Sequence, residues 1–358
     1  MRAGLVTGKG RFELADVGDP TPGPGQVVVA ISRCGICGSD VHAYQEGWPY
    51  SPGICGHEWV GTIVDVGVEA SSGPTAAPAR GARGRGLPGE GTRVVGGQAP
   101  GCGTCRECRA GLGPYCRTAS SAYSGRNAPT SGGFAPFLTL DANRLVAVPD
   151  GVDDDQAALI EPASVAMHAV RRSRLAVGDV ACVVGCGPIG LMALQCARLG
   201  GASTVIAVEP DAGRRALALS LGADVAVAPG TELRAAVDEA SGGLRADIAF
   251  DCAGIPQTLQ QSVDMVRMGG SVCMVGVSSG TAEIKPMRWM MKEVSVDTSL
   301  AFSLDELAVC ADLVAAGRIR TDGFVASTVT LDELPSTFDA VACRQVDAVK
   351  ILVDPTAG

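Results

Sequence analysis

The residues of this chain that could do chemistry fall into three groups. The tightest is Cys102, Cys105, Cys108 and Cys116, spaced Cys-x2-Cys-x2-Cys-x7-Cys. Four thiolates on one short excursion suit a tetrahedral Zn²⁺ and close its coordination sphere, which makes the ion structural. An iron–sulfur cluster is the alternative; the long last gap and the lack of proline after the fourth cysteine disfavour it. The second group is looser. Cys37 stands in RCGICGSDVHAYQEG (33–47), His57 and Glu58 in SPGICGHEWVG (51–61), and Glu161 begins a helical pattern. A cysteine, a histidine and a carboxylate around one Zn²⁺ leave a fourth position open, as catalysis requires. Such an ion would lower the pKa of an alcohol and stabilise the alkoxide from which hydride leaves. Ser39 and His42, just beyond Cys37, offer a hydroxyl and an imidazole that could carry the proton to solvent. From spacing alone, a packing role for Cys37 and His57 stays equally open.

The third group is Gly185, Gly187 and Gly190, spaced G-x-G-x-x-G, with Cys186, Pro188 and Ile189 between them. A β-branched run, Val180 to Val184, precedes it, and an apolar helical pattern follows through Leu199. Gly185 permits the tight turn, Gly187 a close approach to a pyrophosphate, and Gly190 close helix–strand packing. The free N–H groups of the helix start face the phosphates. Glu209 ends the next strand, where an acidic group would accept hydrogen bonds from an adenosine ribose. That carboxylate favours NAD over NADP. Arg214 and Arg215 lie close behind and pull the other way, and Arg214 counts among the coenzyme-binding candidates.

These groups need scaffolds, and the chain is long enough for two cores at 358 residues. The formal net charge is −9, which argues against nucleic acid or an anionic membrane as partner. The start, MRAGLVTGKG, lacks a signal-peptide core, and no apolar run reaches a membrane span, so a cytoplasmic protein is expected. Fourteen cysteines in that compartment favour metal ligation over disulfides.

Residues 1–152 read as β-rich, with strands at Gln26–Ile31, Gly61–Val66, Thr92–Val95 and Leu145–Val148, and a zinc lobe over about 101–117. His57 and Glu58 read as loop residues before Gly61. The stretch 69–91, rich in Gly, Pro, Ala and Arg, reads as a flexible insertion. Asp153 to Asp155 can cap a helix near Gln156. Residues 153–299 alternate strands and helices, which is a doubly wound parallel sheet. Its strands are Val180–Val184, Thr204–Val208, Val225–Ala228, Ile248–Asp251, Ser271–Val275 and Glu293–Val296. Residues 300–358 hold a helix, Leu304–Ala316, and a β-rich tail that should return to the first domain.

CGICGSDVH, GHEWVG, the four-cysteine lobe, IEP and VVGCGPIG occur in the order found in medium-chain zinc-dependent alcohol and polyol dehydrogenases. The resemblance covers nearly the whole chain. It implies an α/β fold: a GroES-like β-rich catalytic domain, a Rossmann coenzyme domain and an active site in the cleft between them. It also implies two Zn²⁺ per subunit and NAD. Cys37 and His57 would be ligands of the catalytic zinc, and Glu58 and Glu161 the carboxylates that ligate directly or through water. Asp40 would orient His57. Ser39, the nicotinamide ribose and His42 would form the proton relay. The family suggests a homotetramer, with a dimer next.

GSDVH and a zinc sphere with Glu in place of a second Cys resemble the sorbitol-type branch, which points to a secondary alcohol: a polyol, a vicinal diol or a cyclitol. GHEW and the Glu209–Pro210 pair also resemble aminocyclitol-pathway dehydrogenases, so a specialised metabolite is the alternative substrate. Cys55, two residues before His57, departs from the family's usual aliphatic residue and reads as packing. So does His168. Trp48, Trp59 and Trp289 are candidates for lining the cleft or for ordinary core. A zinc-free quinone or enoyl reductase would lack the cysteine lobe. A non-catalytic NAD-binding thiol redox sensor is the rival of another class.

Overall fold

The structure is a computed structural model that describes residues 1–47, 53–68, 88–96, 105–109, 115–116 and 132–357. It divides into two compact units, Met1–Glu161 with Phe302–Gly358, and Pro162–Ala301. Most of the 69–91 insertion and Trp48 lie outside the described residues.

The first unit is built on strands. β1 (Arg2–Gly8), β2 (Arg11–Asp16) and β4 (Gly53–Ile54) form an antiparallel sheet in the order β2-β1-β4. A seven-stranded sheet runs β15-β16-β3-β5-β6-β8, with β7 also paired to β3. Its members are β3 (Gln26–Gly35), β5 (Glu58–Val66), β6 (Arg93–Gly96), β7 (Phe137–Asp141), β8 (Leu145–Ala147), β15 (Val325–Thr330) and β16 (Lys350–Asp354). Thus the tail does return to the first unit. It also carries a helix, Leu334–Ala342, where composition suggested strand alone. Phe338 of that helix stacks on Phe12 at 4.5 Å between ring centres and meets Phe134 edge-on at 6.0 Å. This aromatic cluster fixes the tail to the N-terminal sheet by burying large apolar area.

β3 runs four residues further than its apolar run indicated, because a bulge redirects it. The register slips between Ile31 and Arg33, after which Cys34 faces Trp59 and Gly35 faces Glu58. Glu58 is therefore the first residue of β5 rather than a loop residue, with His57 immediately before it. Asp153 caps the helix Asp154–Ala158 in a capping box with Gln156, and a separate helix, Ile160–Arg172, carries Glu161 in its first turn.

In the second unit six parallel strands lie in the order β11-β10-β9-β12-β13-β14. They are β9 (Val180–Val184), β10 (Thr204–Val208), β11 (Val225–Val227), β12 (Ala246–Asp251), β13 (Val266–Met274) and β14 (Ser295–Thr298). Counted within the unit this is 3-2-1-4-5-6, the Rossmann order, with its switch point between the first and fourth strands, β9 and β12. The helix Pro188–Leu199 follows β9 with Gly187 as N-cap and proline in its first turn. Leu191, Met192 and Leu194 on it are fully buried, each contributing roughly 1.5–3 kcal/mol of apolar burial. Among the described residues, no helix is long and apolar enough to cross a membrane.

Candidate functional site

Cys37 is the N-cap of the helix Gly38–Glu46. Its backbone N–H donates to Asp40 Oδ2 at 3.1 Å. The other oxygen of that carboxylate, Oδ1, lies 3.6 Å from His57 Nδ1, and Asp40 is buried. One carboxylate thus ties the start of the helix to the histidine that precedes β5. Burial works against a charged His57 ring. The Asp40 carboxylate and Cys37 beside it outweigh that, and the imidazole pKa rises well above its ordinary value.

Ligand atoms of Cys37, His57 and Glu58 lie within 4.8 Å of one another. Sulfur, imidazole nitrogen and carboxylate oxygen are donors that zinc accepts, so the residues present fit such an ion. Glu58 is 1% exposed, and its Oε2 accepts from Lys350 Nζ. Glu161 is buried at the start of its helix and stands outside this close set. Burial first, then the Glu58 and Asp40 charges, push its carboxyl up to about 7 against the opposing pull of His57 and Lys350. Ser39 and His42 lie one turn apart on the same side of the helix Gly38–Glu46, both half-buried.

Of the four lobe cysteines, Cys105 and Cys116 are described, with sulfurs 3.9 Å apart. Cys102 and the side chain of Cys108 lie outside the described residues. Two thiolates about 2.3 Å from one tetrahedral ion would be about 3.8 Å apart, whereas a disulfide needs about 2.05 Å.

In the second unit the glycine turn joins β9 to its helix. Gly185 has φ +88°, a left-handed conformation that favours glycine. A Cβ on Gly190 would come 1.8 Å from the carbonyl oxygen of Gly185. Pro188 and Ile189 are partly exposed in the first helical turn. Glu209 follows β10 and is buried; its Oε2 accepts from Cys186 N–H at 2.7 Å and its Oε1 from Asp211 N–H at 3.1 Å. The carboxylate therefore braces the turn itself. Arg214 sits in the first turn of the helix Ala212–Ser220, its N–H bonded to the capping Asp211. Arg215 spends its guanidinium on the carbonyls of Glu209 and Pro210.

Other candidates resolve into packing. Cys55 and Trp59 belong to the core of the first unit. Trp289 packs against the core of the second unit and donates to Gln260 Oε1 at 3.0 Å. Burial pushes the thiols of Cys55, Cys182, Cys186 and Cys273 up to about 12, the opposite of a redox-reactive thiol, which removes support for a thiol sensor. Lys350 escaped sequence reasoning. The signal was there: a lone lysine flanked by Val349 and Ile351 at the start of an apolar strand.

The alcohol dehydrogenase GroES-like domain family matches residues 23–150, and the zinc-binding dehydrogenase family matches residues 188–316. (R,R)-Butanediol dehydrogenase of Bacillus subtilis (strain 168) is 30% identical over 369 residues, covering 99% of this chain and 100% of that protein. Sorbitol dehydrogenase of Halalkalibacterium halodurans is 28% identical over 352 residues, 97% of each chain. A solved structure from Sinorhizobium meliloti 1021, assigned to the zinc-binding dehydrogenases and bound to NADP, superposes with a TM-score of 0.83 at 30% identity over 99% of both chains.

Proposed function

The chain belongs to the zinc-binding alcohol dehydrogenase family, and from that premise we propose that it moves a hydride between a secondary alcohol and NAD. The class of substrate is a polyol, a vicinal diol or a cyclitol, in keeping with the butanediol and sorbitol dehydrogenases that it resembles. The observation that carries the reading is the Cys37–His57–Glu58 donor set, gathered within 4.8 Å in a chain whose other unit has a coenzyme-binding fold.

Cys37, His57 and Glu58 hold the catalytic zinc, and Glu161 stands close by as a buried carboxyl. When bound, the ion supplies a Lewis acid that lowers the pKa of an alcohol. Asp40 orients His57 and fixes which ring nitrogen is offered. Ser39 and His42 take up the alcohol proton and pass it to solvent. Gly185, Gly187, Pro188, Ile189 and Gly190 seat the pyrophosphate, with Arg214 beside them. Glu209 selects NAD by repelling a 2′-phosphate. Cys102, Cys105, Cys108 and Cys116 hold a second, structural zinc, for which the Cys105–Cys116 spacing is the support.

None of the described cysteines is in a disulfide, which supports placing the enzyme in the reducing cytoplasm. Exposed Met287, Met290 and Met291, on the helix Pro286–Lys292 that precedes the edge strand β14, support assembly into a homo-oligomer, a tetramer or else a dimer.

The test is NADH and NADPH formation on a panel of diols, polyols, cyclitols and primary alcohols, with elemental analysis of the same preparation. Turnover of secondary alcohols with NAD and two zinc ions per subunit, falling to one in Cys105→Ser, is expected. An enzyme with a single zinc confined to the cysteine lobe, or one that takes only NADP, would contradict the corresponding part.

A further inference from the structure

Glu58 is bound to a buried cation that the donor set does not require. Lys350 opens β16 and is 3% exposed. Its Nζ lies 2.5 Å from Glu58 Oε2 and 3.0 Å from the carbonyl oxygen of Ile36. The two residues sit on strands that do not touch: the order is β16-β3-β5. Gly35 on β3 stands between them, facing Glu58 on one side and Leu352 on the other. A Cβ at Gly35 would come 2.2 Å from Glu58 Oε2. The glutamate reaches the ammonium only because β3 has no side chain at that point.

Stability does not account for the arrangement. A buried ion pair is at best about neutral against apolar residues of the same volume. The ammonium also opposes the proposed task of the site. Glu58, Cys37 and Glu161 all act on it, so it faces three of the expected donors and weakens their hold on a cation. What it does provide is geometry: a carboxylate with one oxygen pinned can offer only the other.

We propose that Lys350, reached through the gap at Gly35, is a positioning residue that ties up Oε2 of Glu58, limits this carboxylate to one ligand oxygen and so keeps a coordination position open for substrate. The inference rests on the zinc reading above. Lys350 touches no reacting atom; it acts through Glu58. Catalytic zinc sites need an open position, and a second oxygen of a ligating carboxylate is able to close it.

The test is the visible spectrum and chelator-driven metal release of the full-length enzyme with Co²⁺ in place of zinc. In Lys350→Met both oxygens of Glu58 become free. The visible bands should weaken severalfold as coordination number rises, and Co²⁺ release should slow about tenfold because a positive charge has left the site. Turnover should fall with them. Lys350→Arg should restore the spectrum in part. In a Glu58→Gln background, Lys350→Met should leave the spectrum unchanged. Should Lys350→Met not fold, Lys350→Gln, which keeps a neutral donor near Ile36, carries the same test with a smaller change. A variant with the wild-type spectrum and release rate overturns the inference alone. Wild-type enzyme that binds Co²⁺ no better than Cys37→Ser overturns the zinc reading, and the inference with it.

Discussion

The glycine turn and the proposed metal donor set are built in opposite ways. The turn is local and made of backbone: Gly185 to Gly190 between one strand and one helix, braced from a distance by the Val208 carbonyl and the Glu209 side chain. The donor set is non-local and made of side chains. Cys37 comes from a helix start and His57 and Glu58 from the lip of β5, while Glu161 on another helix and Lys350 in the tail surround them. A backbone site tolerates change in side chains and fails when a Cβ intrudes. A side-chain site fails when one atom is removed, while the fold around it survives.

The sharpest way to break that comparison is to remove one metal donor. Cys37→Ser or His57→Ala should lower kcat about a thousandfold or more, since metal activation supplies several kcal/mol to the reaction. NADH affinity, read by fluorescence titration, should stay within about twofold. A parallel loss of NADH binding would mean that these residues serve the coenzyme instead. In the reverse experiment, Gly190→Ala forces a methyl to 1.8 Å from a carbonyl oxygen. It should destabilise the second unit by about 3 kcal/mol and weaken NADH binding, with the metal content of Cys37 and His57 unchanged. Calorimetry and metal analysis on one sample read both effects.

The same contrast explains what the sequence could disclose. Local features were legible. The strands Val180–Val184 and Thr204–Val208 have the bounds their β-branched runs indicate, and the strand–turn–helix pattern specifies the nucleotide fold. Of Asp153 to Asp155, which the sequence offers as caps, Asp153 caps the helix Asp154–Ala158. Motif order, together with family resemblance, picked out Cys37, His57, Glu58 and Glu161 as one set, without deciding between the two glutamates; the structure gathers the first three within 4.8 Å. Spacing alone could not, because proximity between residues 37 and 57 depends on the pairing of β3 with β5. The bulge at Ile31–Arg33 that sets Gly35 opposite Glu58 leaves no pattern in composition. Lys350 was hidden for the same reason. Its partner is 292 residues away in sequence, and a lysine is ordinarily read as exposed. The helix Leu334–Ala342 was missed because its proline and short length look like a turn within a β-rich tail.

A smaller effect sharpens the coenzyme half. Glu209 is the side chain on which the backbone turn depends, and it accepts from both Cys186 and Asp211. Glu209→Ala should weaken NADH binding about tenfold and move the NADH/NADPH preference toward NADPH by at least as much. It also leaves two N–H groups without their acceptor, at a stability cost of about 1–3 kcal/mol. Loss of stability with an unchanged coenzyme preference would make Glu209 a brace only and leave selectivity to Arg214 or Arg215.

The smallest expected effect concerns how firmly the metal helix is held. Tyr44 is on the helix that Cys37 caps, and its hydroxyl donates to Asp339 of the helix Leu334–Ala342. That hydrogen bond, with burial and the Asp339 charge, raises the tyrosine pKa from its ordinary value near 10 to about 12. The neutral phenol is thus the form the fold favours. The contribution to stability is fully present below pH 10, where unfolded and folded chains both keep the proton, and is lost between pH 10 and about 12. Tyr44→Phe should cost about 1 kcal/mol at pH 8 and abolish that alkaline decline, as urea titrations at the two ends of the window would read. Turnover should not change, because Gln45 donating to Ala342 and the edge contact of the ring with Phe338 still hold the helix. A drop in kcat with Tyr44→Phe would mean that Cys37 is placed by this one bond, and the metal site would be more fragile than the backbone site in packing as well as in chemistry.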